Sequence, residues 1–268
     1  MSNRNNQANK QAARERLRAE RERQAKKDRL RRQLIVGGAI VGVLAIAGGI
    51  AVAVANMGDD GDGPLVKPAN TSGAKGTTIV VGKPEAKNTL DLFEDPRCPG
   101  CASFEQAVGA TVEKDIKDGK YKASYHLGTF LDGNLQGTGS KNALNALGAS
   151  LNVSPDAFLK YKYALFSKEF HPEETGPDKF ADDSYLIKVA DTVPALKGNA
   201  AFQKAVKSGT YDRWALEVSE AFNSVKDVKS TPTIKLNGTV LGTDGPQGKA
   251  APSSPAAFNS LVNKELKK

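Results

Sequence analysis

Both cysteines of the chain lie in one tetrapeptide, Cys98-Pro99-Gly100-Cys101, and its flanks restrict what can form around it. Ahead of it runs Thr89-Leu90-Asp91-Leu92-Phe93, an apolar segment that reads as a buried strand. Behind it, Cys101, Phe104, Val108, Val112 and Ile116 recur at spacings of three and four, which predicts a helix with one buried face. Pro99 suits the first helical position, where its missing N–H costs nothing, and Asp118-Gly119 marks the stop. This places Cys98 at the N-cap, where the helix dipole favours thiolate over thiol. The thiolate is the form that attacks disulfides, so strand, Cys-x-x-Cys and helix together read as a redox site.

Two other uses of the pair compete with that reading. Zinc could recruit His126 and His171, but they stand 45 residues apart rather than on one helix turn, as a Cys2His2 set requires. A structural disulfide across so short a loop would constrain the unfolded chain by only about 2 kcal/mol.

The first 33 residues carry 12 Lys/Arg against 4 Asp/Glu, so their net +8 equals that of the whole chain. Residues 34–268 are balanced at 26 against 26, and the high pI therefore gives no ground for a nucleic-acid-binding domain. Residues 34–57 are 24 consecutive uncharged positions rich in Gly, Ala, Val, Ile and Leu. As a helix they would span about 36 Å, enough for a bilayer core of about 30 Å. The Ala51-Val52-Ala53 and Ala53-Val54-Ala55 triplets offer small-residue cleavage sites, yet the length exceeds a secretory signal core and favours a retained anchor. With the basic tail inside, everything after Met57 faces out of the cytoplasm, on the oxidising side where a lone cysteine pair is at home. The expected layout is a basic cytoplasmic tail (1–33), a transmembrane helix (34–57), a flexible Gly/Asp/Pro/Ser linker (58–77) and a folded domain (78–268).

Within that domain, Thr78-Ile79-Val80-Val81 and Thr89 to Phe93 read as strands. Tyr121, Ala123, Tyr125 and Leu127 alternate with Lys122, Ser124 and His126, a period of two that predicts a third. Strand, helix, strand over this length is a βαβ unit. His126 falls on the polar face of its strand and His171 in a loop, and neither is assigned a catalytic role.

From about 139 to 226 the pattern is helical. Ala143, Leu144, Ala146 and Leu147 begin it, and Ser154-Pro155-Asp156 opens a helix running through Phe158, Tyr161 and Phe166. Shorter helices follow near Ser184–Thr192 and Ala200–Lys207. Tyr211, Trp214, Ala215, Val218, Phe222 and Val225 then form a stripe in which Trp214 reads as core. Strand character returns in Ser230 to Leu236, Asn237-Gly238 signals a hairpin, and Ser254-Pro255 opens a last helix. The predicted fold is α/β, a βαβ half and a ββα half separated by inserted helices.

These residues resemble the thioredoxin superfamily, and within it the DsbA-like branch of anchored or exported thiol–disulfide oxidoreductases. Phe93-Glu94-Asp95-Pro96-Arg97-Cys98-Pro99-Gly100-Cys101 is similar to the branch's Phe/Tyr-x-Asp-x-x-Cys-Pro-x-Cys pattern. Thr231-Pro232 before a hairpin is similar to its proline loop. The resemblance spans roughly Thr78 to Lys268 and implies roles. Cys98 would be the exposed nucleophile and Cys101 the buried resolving thiol. Pro232 would be a cis proline facing the pair, with Thr231 offering its backbone to an extended substrate.

Pro99, Gly100 and Arg97 would tune the potential. Arg97 favours the Cys98 thiolate, whereas Glu94 and Asp95 oppose it. Gly100 stands where strongly oxidising members often carry His. No cofactor beyond the redox-active disulfide is implied. The expected partners are exported cysteine-containing clients and a membrane quinone-linked oxidase, DsbB-like or vitamin-K-epoxide-reductase-like, with no nucleic acid. The expected activity is disulfide introduction, with reduction or isomerisation by the same fold, or anchored binding without catalysis, as alternatives.

Overall fold

The computed structural model describes residues 64–245 and 248–267. The basic tail, the expected membrane helix and the start of the expected linker lie outside the described residues. Among the described residues no helix is long and apolar enough to cross a membrane.

Five strands form the central sheet: β1 (Ile79–Val81), β2 (Thr89–Glu94), β3 (Lys122–Leu127), β4 (Thr233–Leu236) and β5 (Thr239–Val240). Their order is β1-β3-β2-β4-β5, with β2 and β3 parallel and the other pairs antiparallel. The apolar run predicted for β2 puts it in the middle, where Leu90 pairs with Ala123 on one side and Leu236 on the other. Asn237 and Gly238 both have positive φ, 50° and 82°, as a tight turn between β4 and β5 requires.

The active-site helix begins as predicted. Helix α1 (Pro99–Phe104) has Cys98 as its N-cap and Pro99 in its first turn, and α2 (Ala110–Asp118) stops at Gly119 with φ 79°. The two are not one uninterrupted α-helix, because Glu105–Gly109 forms a π turn between them. Gly109 permits it: a Cβ there would lie 2.8 Å from the Glu105 carboxyl carbon. The bare glycine lets Glu105 fold across the helix surface.

Between β3 and β4 come α3 (Phe130–Leu135), α4 (Gly139–Val153), α5 (Pro155–Leu165), α6 (Asp183–Ala190), α7 (Ala200–Lys207) and α8 (Asp212–Asn223). Ser154 caps α5 by accepting from Ala157 N at 3.0 Å, and Ser254 caps α9 (Pro255–Glu265) in the same way. The 3-10 turn Lys179–Ala181, the short α3 and the hairpin of β6 (Thr243–Gly245) with β7 (Gly248–Ala250) carry too few residues to show a period.

The linker expectation needs correction over its second half. Gly76 accepts a 2.7 Å hydrogen bond from the buried Trp214 indole N–H, Ala69 N donates to Asn152 Oδ1 at 3.1 Å, and Ser72 bridges to Thr78. Small polar residues gave no apolar period to read, but their backbone groups complete hydrogen bonds with α4 and α8. Trp214→Phe keeps a core ring but orphans the buried Gly76 carbonyl, a cost of about 1–3 kcal/mol. Denaturant unfolding should show that loss, and proteolysis between residues 64 and 78 should accelerate. Unchanged stability would refute this docking.

Candidate active site: the Cys98–Cys101 pair

Sheet register assembles the site. Phe93, the penultimate residue of β2, pairs with Thr233, the first residue of β4. The segment leaving β2 and the segment entering β4 therefore run side by side, which brings Thr231-Pro232 against Cys98-Pro99-Gly100-Cys101. The Thr231–Pro232 bond is cis. Thr231 Oγ1 donates to Cys98 Sγ at 3.3 Å, and the Thr231 carbonyl stands 3.6 Å from the same sulfur. A Cβ on Gly100 would lie 3.2 Å from Pro232 Cδ and 3.7 Å from Cys98 Sγ, so the lack of a side chain there keeps the proline loop close.

Both cysteines are free thiols in this structure. Cys98 is 8% exposed and Cys101 0%, so Cys98 is the more accessible, although the Thr231-Pro232 loop leaves it far less open than expected. Sγ of Cys98 accepts from the backbone N–H of Cys101 at 3.4 Å, one of the orphan donors at the start of α1. The Cys98 pKa is held below that of an ordinary thiol. Hydrogen bonding from the Cys101 thiol is the main cause, helped by the Thr231 hydroxyl and the Cys101 N–H, while burial and the Asp95 carboxylate oppose it. The Cys101 pKa goes the other way, pushed well up by burial, by the hydrogen bond it gives Cys98, and by the charges of Cys98 and Glu94. One thiol is poised to ionise and the other to stay protonated.

The Arg97 guanidinium does not serve the thiolate as expected. It pairs with Asp132 at 3.0 Å and Asp178 at 3.3 Å and is directed at the helical segment. Those carboxylates also accept from backbone N–H groups at the start of α4: Asp132 from Ser140 and Lys141, Asp178 from Thr138 and Gly139. Asp95 is wholly buried and accepts from Arg97 N (2.9 Å), Leu131 N (3.1 Å) and Ser140 Oγ (2.6 Å). Burial, reinforced by the Asp132 carboxylate, raises its pKa to about 7 despite those donors.

Behind the pair lies an ion cluster that sequence reasoning missed. Lys162 of α5 places Nζ 2.7 Å from Glu105 and 3.0 Å from Glu94, with the Tyr125 and Phe166 rings around it. Burial alone would lower the Lys162 pKa, but the Glu105 and Glu94 carboxylates more than offset it and hold it up. Burial raises Glu94 to about 7, with Lys162 opposing and Glu105 adding to the rise. A signal was present: Lys162 falls in phase with Phe158 and Leu165, and Glu105 in phase with Cys101 and Val108, each a charge on an apolar stripe.

The histidines are engaged away from the sulfurs. His126 Nε2 lies 3.0 Å from Asp91 and 3.2 Å from Ser124, with its ring stacked on Phe93, and His171 Nε2 contacts the Pro96 carbonyl. Among the described residues no group of three or more His, Cys, Asp or Glu is arranged to hold a metal ion.

Comparison with known proteins agrees with this geometry. The family model described as Thioredoxin matches residues 74–264. The serine/threonine-protein kinase PknE of Mycobacterium tuberculosis is 32% identical over 122 residues, which are 44% of this chain and 21% of the kinase, so the match spans little more than a fifth of that relative. Disulfide bond formation protein D of Bacillus subtilis is 26% identical over 163 residues, covering 60% of this chain and 68% of that protein. Among solved structures, the reduced form of the disulfide bond oxidoreductase DsbG from Mycobacterium tuberculosis has a TM-score of 0.55 at 28% identity, over 70% of this chain and 84% of that one. Apart from the kinase, these relatives and structural neighbours are disulfide-forming proteins or disulfide oxidoreductases, and the mixed α/β fold of the chain is thioredoxin-like and matches DsbA-like neighbours. By a family match across 74–264, on a domain whose sheet carries Cys98-Pro99-Gly100-Cys101 beside Thr231-Pro232, the chain belongs to the thioredoxin family.

Proposed function

We propose that the chain is an anchored, extracytoplasmic thiol–disulfide oxidoreductase that introduces disulfides into exported proteins through Cys98 and Cys101. The observation that carries this reading is the opposed pair of thiols: Cys98 held toward thiolate, Cys101 buried and held toward thiol. A client thiolate would attack Cys98 Sγ of the disulfide, forming a mixed disulfide, and Cys101 would leave and take up a proton. A second client thiolate would attack the client sulfur of that bond, forming the client disulfide and releasing Cys98. Two electrons thereby pass from client to chain. A low Cys98 pKa makes it a good leaving group and stabilises the reduced form, both of which favour the oxidising direction.

Thr231 would hold an extended client by its backbone beside Pro232, a sequence-tolerant contact. The reduced pair would be reoxidised by a membrane quinone-linked oxidase, with no cofactor in the chain other than its own disulfide. Residues 34–57 would be the anchor, with the basic tail in the cytoplasm.

Two assays test side and activity. In intact cells producing the chain, a membrane-impermeant maleimide should label Cys98 after brief reduction, and the oxidised purified chain should remove thiols pairwise from a reduced, unfolded client. Failure to label would refute the extracytoplasmic placement. An oxidised chain that leaves client thiols intact, while the reduced chain cleaves insulin disulfides, would favour the reductase alternative.

A further inference from the structure

The peptide group joining Pro96 to Arg97 lies just ahead of Cys98, and side chains hold both of its polar atoms. Its N–H donates to Asp95 Oδ1 at 2.9 Å, and its carbonyl lies 3.1 Å from His171 Nε2. A carbonyl can only accept, so Nε2 carries the proton. The next N–H, that of Cys98, closes on the Asp95 carbonyl at 2.9 Å. The backbone therefore enters the Cys98 N-cap with little freedom.

His171 is itself fixed. Its ring stacks on Phe166 with centroids 5.8 Å apart and meets Phe180 edge-on at 6.0 Å. Burial pushes its pKa down to about 4, although the Pro96 and Pro172 carbonyls pull the other way, so the imidazole is neutral at physiological pH. The segment that carries it is tied to the active-site helix, because Gln106 Nε2 donates to the Phe166 carbonyl at 2.8 Å. Phe166 belongs to the same apolar cluster as Cys98, Cys101, Phe93, Phe130 and Phe222. The thiol chemistry makes no direct use of this imidazole.

We propose that His171 is a positioning residue of the redox pair: from the helical segment it fixes the Pro96–Arg97 peptide, and with it the N-cap geometry in which Cys98 Sγ meets the Cys101 N–H. The inference rests on the redox reading of the two cysteines. Loosening that peptide degrades the donor geometry at Cys98 and raises the pH at which it ionises. A histidine that only filled space would not have this effect.

The test uses the full chain in two variants. His171→Phe keeps the stacked ring and removes the N–H, whereas His171→Gln returns an N–H donor. In His171→Phe the pH midpoint of Cys98 alkylation by iodoacetamide should rise, slowing labelling below the midpoint about three- to tenfold, the effect of a rise of about half to one pH unit. His171→Gln should recover most of the rate. An unchanged profile in folded His171→Phe overturns the proposal. Should His171→Phe fail to fold, imidazole nitrogen NMR of the unmodified chain decides. A neutral Nε2–H tautomer whose resonances shift between dithiol and disulfide forms is expected, and an Nδ1–H tautomer or redox-indifferent resonances overturn it. Cys98→Ser run alongside in client oxidation separates the two levels. Residual activity there refutes the redox reading itself, whereas its loss beside an unchanged His171→Phe refutes only the positioning role.

Discussion

Cys101→Ser is expected to accumulate mixed disulfides with client proteins, and Cys98→Ser almost none. The two sulfurs differ in every respect that governs thiol exchange. Cys98 Sγ receives the Thr231 hydroxyl and the Cys101 N–H, and its pKa is lowered. Cys101 has no exposed surface, and burial pushes its pKa up. In the reduced chain at neutral pH, alkylation should therefore mark Cys98 at least about tenfold faster than Cys101, because only Cys98 is held toward the reactive thiolate. In Cys101→Ser the Cys98 thiolate can still attack a client disulfide, and the thiol that would release that adduct by re-forming the Cys98–Cys101 disulfide is gone, so the mixed disulfide persists. Non-reducing gels of cells carrying each variant would reveal the adducts. Equal labelling of the two thiols, or trapping by Cys98→Ser, would mean that the N-cap does not assign the roles.

The sequence showed the frame of this site more clearly than its lining. Local signals wrote the strand before Cys98, the N-cap, Pro99 in the first turn and the Gly119 stop, because each depends on residues within a turn of it. The Asn237-Gly238 hairpin was legible for the same reason. Pairing Phe93 with Thr233 is a contact between positions 140 residues apart, and only the Thr-Pro motif pointed to it. The direction of Arg97 was not legible. Charge counting placed a cation beside a thiolate, but Asp132 and Asp178 reach that guanidinium from two separate turns of the helical segment. Nor was the partial closure of Cys98, which follows from where residues 231 and 232 cross the helix terminus.

The Glu94–Lys162–Glu105 cluster leads to the largest expected loss of stability. Two carboxylates share one ammonium in a space where Glu94 is 0% and Lys162 1% exposed, and that ammonium lies over the Tyr125 and Phe166 rings. Lys162→Met keeps roughly the volume and removes the cation, leaving buried carboxylates without their counter-charge. Breaking a buried pair from one side costs about 3–5 kcal/mol. The penalty must depend on pH, and its sign follows from Glu94. The Glu94 pKa in the fold is about 7, above its ordinary value of 4.5. A carboxyl raised in this way contributes stability that is fully present below its unfolded pKa and is lost as pH rises through the folded one. Lys162 is the group that restrains the rise, so its removal moves the folded pKa further up and carries the loss to higher pH. Near pH 5 the Glu94 carboxyl of the variant can fold protonated and the deficit should be small, whereas near pH 8 the full cost should appear. Urea unfolding at the two pH values measures both. A deficit equal at pH 5 and pH 8 would show that the lysine contributes packing and not charge, and one below about 1 kcal/mol at pH 8 would show that water reaches the carboxylates.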